Sequence, residues 1–354
     1  MLEVQKYLQS GQSVSQLKTQ LGIETAFHPT DGRVILNYNM IESPKKSEIA
    51  RECRGLVLDS SDWSLVCRSF YRFFNAGEVK EEDVKFHWDN RVLCTHKEDG
   101  SLINIVFWKD QWRIHTRGSF STGYINDSMV TWEGLVRSCL DVTKLNKEYS
   151  YTFELCSLYN KVVRNYRTSK VYLLTAFYGE MELTHDTVVN EAERIGVEFP
   201  DVKEFNDIFD VQAYIANIAS NDASFEGLVC RDIHNNRLKC KSSTYLHLHR
   251  LNNNGNIASV KNLLPLIMAG ETDEVLTYFN ELKSDCDELQ SKIDKAKKEI
   301  DNYWYCHRDE PSQKLFAKAI KDTKYSGILF QARKLNVHPF TLITSEYLLK
   351  VWGY

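Results

Sequence analysis

The hydrophobic pattern of this 354-residue chain changes near residue 251, and this change constrains its fold more than any other feature. Residues 1–250 contain short runs of alternating apolar and polar side chains between turn-forming residues, which predict β-hairpins. From residue 259 onward, apolar residues recur three and four positions apart, which predicts helices. The loop-like sequence LNNNGN (251–256) separates the two patterns. We therefore predict an α+β domain built on antiparallel sheets over residues 1–250, followed by a small all-helical domain over residues 251–354.

Three pairs of short apolar runs predict antiparallel hairpins in the first domain, because each pair is separated by a few turn-forming residues. The paired runs are 55–59 with 64–70, 101–108 with 111–118, and 226–232 with 237–241. Helical patterns interrupt them at about residues 1–20, 122–141 and 185–218. In the second domain, the apolar positions 282, 286, 289, 293, 296 and 300 predict one long helix that packs against other helices.

Charge and cysteine content exclude several classes of protein. The formal net charge is −4, so a generally basic nucleic-acid-binding surface is excluded, although a local basic groove is not. Nine cysteines without a C-x-x-C pair fit neither a disulfide framework nor a zinc finger, which predicts a reducing cytoplasm. The sequence has no apolar run of about 18 residues and no signal-peptide segment at its N-terminus. We expect a cytoplasmic protein without a membrane partner.

The sequence Lys97-Glu98-Asp99-Gly100-Ser101 is the sharpest candidate for a reactive site. Gly100 permits a tight backbone turn near a ligand. A lysine held in such a turn can act as a covalent nucleophile once it is neutral. The alternative is an ordinary turn, because Asp-Gly is common in turns of every kind.

Two lysines further along the chain share one face of a predicted strand. In RLKCK (237–241), the alternation points Leu238 and Cys240 toward the core and Lys239 and Lys241 to the opposite face. Two ammonium groups on one face repel each other unless solvent or an anion lies between them. The alternative to an anion site is a solvated edge strand.

Two carboxylates are aimed away from apolar layers by the same alternation. Glu154 alternates with Phe153 and Leu155, and Glu226 precedes Gly227, whose missing side chain lets another group approach the backbone. Each carboxylate is either a ligand for a hard cation or a surface residue. In both cases we expect an alanine substitution to leave the stability nearly unchanged.

In this order, the motifs resemble those of covalent nucleotidyltransferases, the superfamily of ATP-dependent ligases and capping enzymes. The flanking sequences RECRG (51–55) and RFFN (72–75), and the run from Lys241 to Tyr245, narrow the resemblance to the phage-type RNA ligase 1 family of tRNA-repair ligases. The motifs span residues 51–245, and the helical tail has the length and position typical of the family. The resemblance implies an antiparallel-sheet nucleotidyltransferase (adenylylation) domain followed by a helical domain that selects the RNA.

The resemblance also implies a role for each matching side chain. Lys97 would take AMP from ATP as a phosphoramidate on Nζ, and Lys239 and Lys241 would neutralise the α-phosphate. Arg54 would lie beside the ribose and phosphates, and Tyr38 near the triphosphate. The full set implied to contact the nucleotide is Tyr38, Arg54, Arg72, Lys97, Glu98, Arg117, Glu154, Glu226, Lys239 and Lys241.

A divalent metal ion is implied as well, Mg²⁺ with Mn²⁺ as the alternative, because Mg²⁺ suits an all-oxygen site that keeps several waters. The carboxylates implied to hold it are Asp99, Glu154, Glu226 and Asp273. Glu154 could contact the ribose instead. The acidic pair Asp273-Glu274 could equally be charges at the N-terminus of a helix.

The implied reaction joins RNA 3′-OH and 5′-phosphate ends in three steps: adenylylation of Lys97 by ATP, transfer of AMP to the RNA 5′-phosphate, and attack by the 3′-OH. The implied partners are ATP and RNA, with cleaved tRNA as the expected substrate and a monomer as the expected state. DNA ligases and capping enzymes are the nearest rivals, but they usually append an OB-fold where this chain has a helical tail. A non-catalytic RNA-binding protein would have lost one of the motifs.

Two arginines depart from the family pattern, and two basic stretches each leave two interpretations open. Arg72 and Arg117 stand where the closest family pattern has lysines, which keeps the charge but changes its geometry. The basic segment KVVRNYRTSK (161–170) is either an RNA-backbone contact or a solvated segment. The helical stripe of Lys314, Lys318 and Lys321 is likewise either a tRNA contact or a solvated face.

Overall fold

A computed structural model describes residues 1–79, 83, 85–88, 92–120, 123–125, 128–160, 164, 166–222, 224–242, 259–270, 272, 276 and 282–354. The chain divides into two compact units, Met1–His249 and Arg250–Tyr354. The first unit is a mixture of sheets and helices. In the second, the described residues form helices.

The described residues of the first unit form three β-sheets. Across the first sheet lie β1 (Ile23–Phe27), β2 (Arg33–Tyr38), β3 (Arg54–Asp59) and β4 (Leu65–Cys67). Across the second lie β11 (Met181–Glu182), β10 (Lys170–Tyr178), β9 (Tyr149–Cys156), β7 (Ser101–Trp108) and β8 (Gln111–Thr116). Across the third lie β12 (Val202–Phe205), β6 (Val92–His96), β13 (Gly227–Arg231), β14 (Arg237–Lys241) and β5 (Phe74–Asn75). All neighbouring strands are antiparallel except β14 and β5, so the predicted architecture is confirmed.

The three predicted hairpins are present as β3–β4, β7–β8 and β13–β14. In the β7–β8 turn, Lys109 and Asp110 both adopt positive φ angles, 47° and 58°. Two successive residues with positive φ give the turn a twist that matches the right-handed twist of the two strands. Local alternation and turn chemistry were therefore sufficient to predict these elements.

The predicted helices of the first unit needed correction. The helix expected at 1–20 is two, Glu3–Gln9 (α1) and Val14–Leu21 (α2), because the chain turns at Gly11 with φ 92°. The helices α3 (Glu48–Glu52) and α4 (Trp132–Cys139) follow, and α4 covers only part of the range predicted at 122–141. The helix expected at 185–218 is His185–Ile195 (α5) and Ile208–Asn221 (α6), with β12 between them. Helix α5 ends at Ile195 and is capped by Gly196, whose φ of 80° is left-handed, and Pro200 follows four residues later.

Separate apolar clusters lie under the second and third sheets. The second sheet packs against α4 and α5, which contribute side chains such as Val136 and Ile195. The third sheet packs against α6 through Val211 and Ile215. Since these helices cover the apolar face of each sheet, polar side chains on the other faces remain available for a site.

The second unit confirms the predicted helical pattern. Its helices are Val260–Met268 (α7), Lys283–His307 (α8), Gln313–Ile320 (α9), Ser326–Leu335 (α10) and Ser345–Trp352 (α11), with a 3₁₀ turn at Pro339–Leu342. The predicted stripe is buried along α8 and reaches one turn further, to Trp304. The described helices of the chain include none with the length and apolar character needed to cross a membrane.

Candidate active site

Lys97 lies on the turn that leads from β6 in the third sheet to β7 in the second. Its backbone N–H donates to the carbonyl of Gly227 at 2.9 Å, which ties the turn to the start of β13. Gly100 is required by close packing, because a Cβ there would lie 2.3 Å from the carbonyl oxygen of Leu155. The Gly100 N–H donates to Glu154 Oε1 at 3.1 Å. The turn is therefore fitted closely between two sheets, which an ordinary surface turn would not need.

One carboxylate oxygen holds both the candidate nucleophile and a second lysine. Glu226 Oε1 lies 2.7 Å from Nζ of Lys97 and 2.9 Å from Nζ of Lys241. The side chains of Glu226 and Lys241 are only 4% and 3% exposed, whereas that of Lys97 is 25% exposed. Glu226 is thus a buried counter-charge, and the prediction that it behaves as a surface residue is wrong.

The strand that carries Lys239 and Lys241 is inside its sheet. Strand β14 pairs with β13 on one side and with β5 on the other, so the edge-strand alternative is wrong. Leu238 and Cys240 face the apolar cluster, as predicted. Lys239 projects from the other face, and its Nζ lies 5.4 Å from the centre of the Phe73 ring. Phe73 belongs to the RFFN motif, but the sequence alone assigned it no role.

A second cluster gathers cations around the phenol of Tyr38. The guanidinium carbons of Arg72 and Arg117 lie 4.2 and 4.5 Å from the centre of its ring. Burial disfavours the phenolate, yet the charges of Arg117, Arg54, Lys239 and Arg72 together lower the pKa of Tyr38 below its ordinary value. This concentration of positive charge suits a polyanionic ligand.

Arg54 connects the two clusters electrostatically. Its guanidinium carbon stacks 4.8 Å from the centre of the Phe73 ring, and its charge acts on both Tyr38 and Glu154. Burial lowers the pKa of Arg54 to about 10, although Tyr38 opposes this change. Its Nη1 is buried without a hydrogen-bond acceptor among the described residues. A buried donor without an acceptor is rare, and a ligand oxygen is one partner that would satisfy it.

Two predicted nucleotide contacts have protein partners in the structure. Arg72 is 1% exposed and donates to the carbonyls of Ser43 and Met40, so it holds Tyr38 from behind. The carboxylate of Glu98 contacts Tyr166 and Arg164. Direct contact of Arg72 or Glu98 with a nucleotide stays a prediction.

Arg117 is placed at the site through its backbone. Asn37 donates from its amide to the Arg117 carbonyl at 2.9 Å, and its oxygen accepts from the Gly55 N–H at 2.9 Å. Asn37 belongs to the LNYNM segment that contains Tyr38, but its sequence context alone did not mark it as a positioning residue. Gly55 has φ 73°, and a Cβ there would lie 3.0 Å from the Arg117 carbonyl. The close approach of these strands brings Arg117 to the ring of Tyr38.

Acidic side chains crowd the region around Glu154. Burial, with smaller contributions from the charges of Glu226 and Asp99, raises the pKa of Glu154 to about 8, although Lys97 and Arg54 oppose the shift. A divalent cation would relieve this repulsion, so the residues fit a metal. Within the described part of the chain, no group of three acidic, histidine or cysteine side chains already converges as a metal site. The predicted ligand Asp273 lies outside the described residues.

The raised pKa of Glu154 predicts a pH-dependent effect of Glu154→Gln in metal-free protein. Between its ordinary value near 4.5 and about 8, the folded protein binds more protons than the unfolded chain, so wild-type stability falls as pH rises. Glutamine does not titrate and still accepts from Gly100. We expect the variant to gain stability relative to wild type between pH 5 and pH 8.5, by roughly 1 kcal/mol or more. Urea unfolding at several pH values measures this.

The matched control for this experiment is Glu133→Gln, since Glu133 is an exposed carboxylate on α4. Its stability difference from wild type should not change over the same range. A constant difference for Glu154→Gln as well would show that Glu154 is ionised throughout.

Comparison with known proteins gives a consistent result. A family model described as RNA ligase matches residues 52–254. The chain is 28% identical over 304 residues to a protein of Autographa californica nuclear polyhedrosis virus that carries the name bifunctional polynucleotide kinase/RNA ligase. It is also 28% identical over 130 residues to a Thermovibrio ammonificans protein named as an RNA ligase. The two alignments cover 80% and 35% of this chain but only 42% and 33% of those proteins, so the chain spans less than half the length of either relative.

Solved structures show the same fold. An archaeal ATP-dependent RNA ligase superposes with a TM-score of 0.52 at 15% identity, covering 82% of this chain and 77% of that one. A protein from Aquifex aeolicus named as an ATP-dependent DNA ligase superposes with a TM-score of 0.51 at 12% identity, covering 88% and 87%. At these identities the likeness establishes the ligase nucleotidyltransferase fold alone.

Proposed function

The chain belongs to the phage-type RNA ligase 1 family, and on that premise we propose that it is an ATP-dependent RNA ligase that works through a lysyl-AMP enzyme. The observation that carries the proposal is the arrangement of Lys97 and Lys241 on one oxygen of Glu226, beside the cation cluster at Tyr38. A nucleophile, a buried carboxylate and several phosphate-neutralising cations are the groups that nucleotidyl transfer needs.

In the first proposed step, Lys97 attacks the α-phosphorus of ATP. A nitrogen–phosphorus bond forms, the bond to the bridging oxygen breaks, and pyrophosphate leaves. The lysine must lose a proton before its nitrogen can attack, and the carboxylate of Glu226 at 2.7 Å is placed to accept it. Lys239 and Lys241, on the same face of β14, would balance the charge of the phosphate.

The next two proposed steps use RNA. An oxygen of the RNA 5′-phosphate attacks the phosphorus of the lysyl-bound AMP, which frees Lys97 and leaves adenylylated RNA. The 3′-OH of the second end then attacks the RNA phosphate, and AMP leaves as the phosphodiester bond forms. When bound, Mg²⁺, or Mn²⁺ as the alternative, would supply further neutralisation of phosphate charge, held by Glu154 and Asp99.

Labelled ATP tests the proposal directly. Incubation with α-labelled ATP, followed by denaturing electrophoresis, should leave covalent label on the protein, whereas α-labelled GTP should not. An RNA with 3′-OH and 5′-phosphate ends should be sealed, and the equivalent DNA should not. Label from GTP would favour a capping-type enzyme, and absence of label from both nucleotides would contradict a lysyl-AMP mechanism.

We also propose that the enzyme acts as a cytoplasmic monomer in the repair of cleaved tRNA, and that the helical unit selects the RNA. All nine cysteines are free thiols, which supports a reducing compartment. From residue 259 onward, the elements of the described residues are all helical. This supports an RNA ligase with a helical RNA-selecting unit, since DNA ligases and capping enzymes would be expected to have an OB-fold there. Lys314 and Lys318 lie on α9 and Lys321 just after it, and the exposure of all three supports an RNA contact.

The three lysines of this stripe provide a prediction for RNA selection. We expect replacement of Lys314, Lys318 and Lys321 by alanine to lower the joining rate on nicked tRNA more than the rate on a linear RNA. The salt dependence of tRNA binding should fall by roughly one unit of slope for each phosphate that the variant no longer neutralises. Enzyme-AMP formation should not change.

The control is a second triple alanine variant, at Lys283, Lys295 and Lys298 on α8. It removes the same amount of positive charge. If the ratio of the joining rates on nicked tRNA and linear RNA is the same in wild type and in both variants, Lys314, Lys318 and Lys321 do not take part in RNA selection.

A further inference from the structure

A tyrosine outside the ligase motifs is bonded to the turn that carries Lys97. The Tyr166 hydroxyl accepts a hydrogen bond from the Asp99 N–H at 3.0 Å and donates to Glu98 Oε2 at 3.2 Å. One hydroxyl therefore joins the backbone of the turn to one of its side chains. Tyr166 is itself 7% exposed and packs against Cys156 and Tyr172.

The basic segment that includes Tyr166 contacts acids of this turn. The Arg164 backbone N–H donates to Asp99 Oδ2 at 2.6 Å, and its Nη1 lies 3.6 Å from Glu98 Oε2. Arg164 thus contacts both acids of the turn. The two interpretations of residues 161–170, an RNA-backbone contact or a solvated segment, stay predictions, and residues 161–163 and 165 lie outside the described residues.

The other end of the turn is held by the same connection between β9 and β10. The Asn160 amide donates to Ser101 Oγ at 2.9 Å and to the Leu155 carbonyl at 2.7 Å. The turn is thus bonded at Glu98, Asp99 and Ser101 by residues that follow β9.

The carboxylates of Glu98 and Asp99 are buried, so losing a hydrogen-bond partner would cost the folded protein free energy. Glu98 and Asp99 are 7% and 4% exposed. Burial raises the pKa of Glu98, while the Arg164 charge and the Tyr166 hydroxyl favour its ionised form. A buried carboxylate and a buried N–H that lose their partner must find another one, so the turn would move if the hydroxyl were absent.

We propose that Tyr166 is a positioning residue for adenylylation, because its hydroxyl sets the conformation of the 97–101 turn and so directs Nζ of Lys97 at the α-phosphate. This inference rests on the proposed function. It predicts a defect in the step in which Lys97 is the nucleophile and none in the final sealing step, in which Lys97 forms no bond.

The test is Tyr166→Phe, with Tyr151→Phe as its matched control. The Tyr151 hydroxyl also donates to a carboxylate, Glu191 at 2.5 Å, and accepts from a backbone N–H, that of Asn146 at 2.8 Å, but it lies in the cluster under the second sheet. We expect Tyr166→Phe to slow single-turnover enzyme-AMP formation at saturating ATP about tenfold, with less than about a twofold change in the ATP concentration for half-maximal rate. Sealing of pre-adenylylated RNA should stay within about twofold of wild type.

A second variant, Glu98→Leu, removes the acceptor of the hydrogen bond that the Tyr166 hydroxyl donates. We expect a selective loss of adenylylation here too, and the double variant should be little slower than the slower single one, because each single variant already lacks the Tyr166–Glu98 hydrogen bond. The inference is overturned if Tyr166→Phe forms enzyme-AMP as fast as Tyr151→Phe, or if adenylylation and sealing fall together. If wild type itself forms no enzyme-AMP, the proposed function fails instead, so the two failures are distinguishable.

Discussion

Lys97→Ala should abolish enzyme-AMP formation, with a loss of roughly a thousandfold or more, because no other amine replaces the nucleophile. The neighbouring Lys241 is 3% exposed and bonded to Glu226, so it cannot take over the attack. Joining of RNA with ATP should be lost in parallel. Sealing of RNA that is already adenylylated should continue, because the final step forms no bond to Lys97.

The control for Lys97→Ala is Lys6→Ala, which removes an exposed lysine that is also paired with a glutamate, Glu3. It should form enzyme-AMP at the wild-type rate. Covalent label on Lys97→Ala, or a proteolytic map that places AMP on another lysine, would contradict the assignment of the nucleophile.

Glu226→Ala should impair both stability and chemistry, which corrects the expectation of a surface-like carboxylate. Removing Glu226 takes away the carboxylate that lies 2.9 Å from the buried ammonium of Lys241. Breaking a buried ion pair of this kind lowers the free energy of unfolding by roughly 3 kcal/mol. Enzyme-AMP formation should fall by about a hundredfold or more, because Lys97 loses the group that holds it. Urea unfolding and single-turnover labelling measure the two effects.

A double variant separates the two roles of Glu226. Glu226→Leu with Lys241→Met replaces the buried pair by apolar side chains of similar volume, so much of the stability should return while adenylylation stays lost. Glu133→Ala, at an exposed ion pair on α4, should change neither quantity appreciably. Wild-type stability in Glu226→Ala would show that Lys241 finds another partner, and retained adenylylation would remove Glu226 from the mechanism.

Properties that depend on neighbours along the chain were predicted correctly. The orientation of Leu238 and Cys240 toward the core follows from alternation within one strand, and the stripe on α8 follows from the helical repeat. The order and identity of the ligase motifs are also properties of the chain itself. The helix break at Gly196 and Pro200 was not predicted although both residues were visible, because the apolar spacing on either side suggested one continuous helix.

Properties that depend on distant parts of the chain could not be predicted in the same way. Strand β14 is interior only because β5, which lies far earlier in the sequence, pairs with it. The burial of Glu226 and the contacts of Tyr166 with the 97–101 turn likewise join segments that are far apart in sequence.

The sequence by itself determined which charged and nucleophilic groups the protein has, their order, and the strands and helices that carry most of them. Only the tertiary structure decided which charge faces which, because electrostatic and desolvation energies depend on separation and burial in space. Two lysines on one strand face could have met solvent, but in the fold Lys241 meets a buried carboxylate that Lys97 shares. This shared contact with Glu226 distinguishes the 97–101 turn from an ordinary Asp-Gly turn and makes it a candidate site for nucleotidyl transfer.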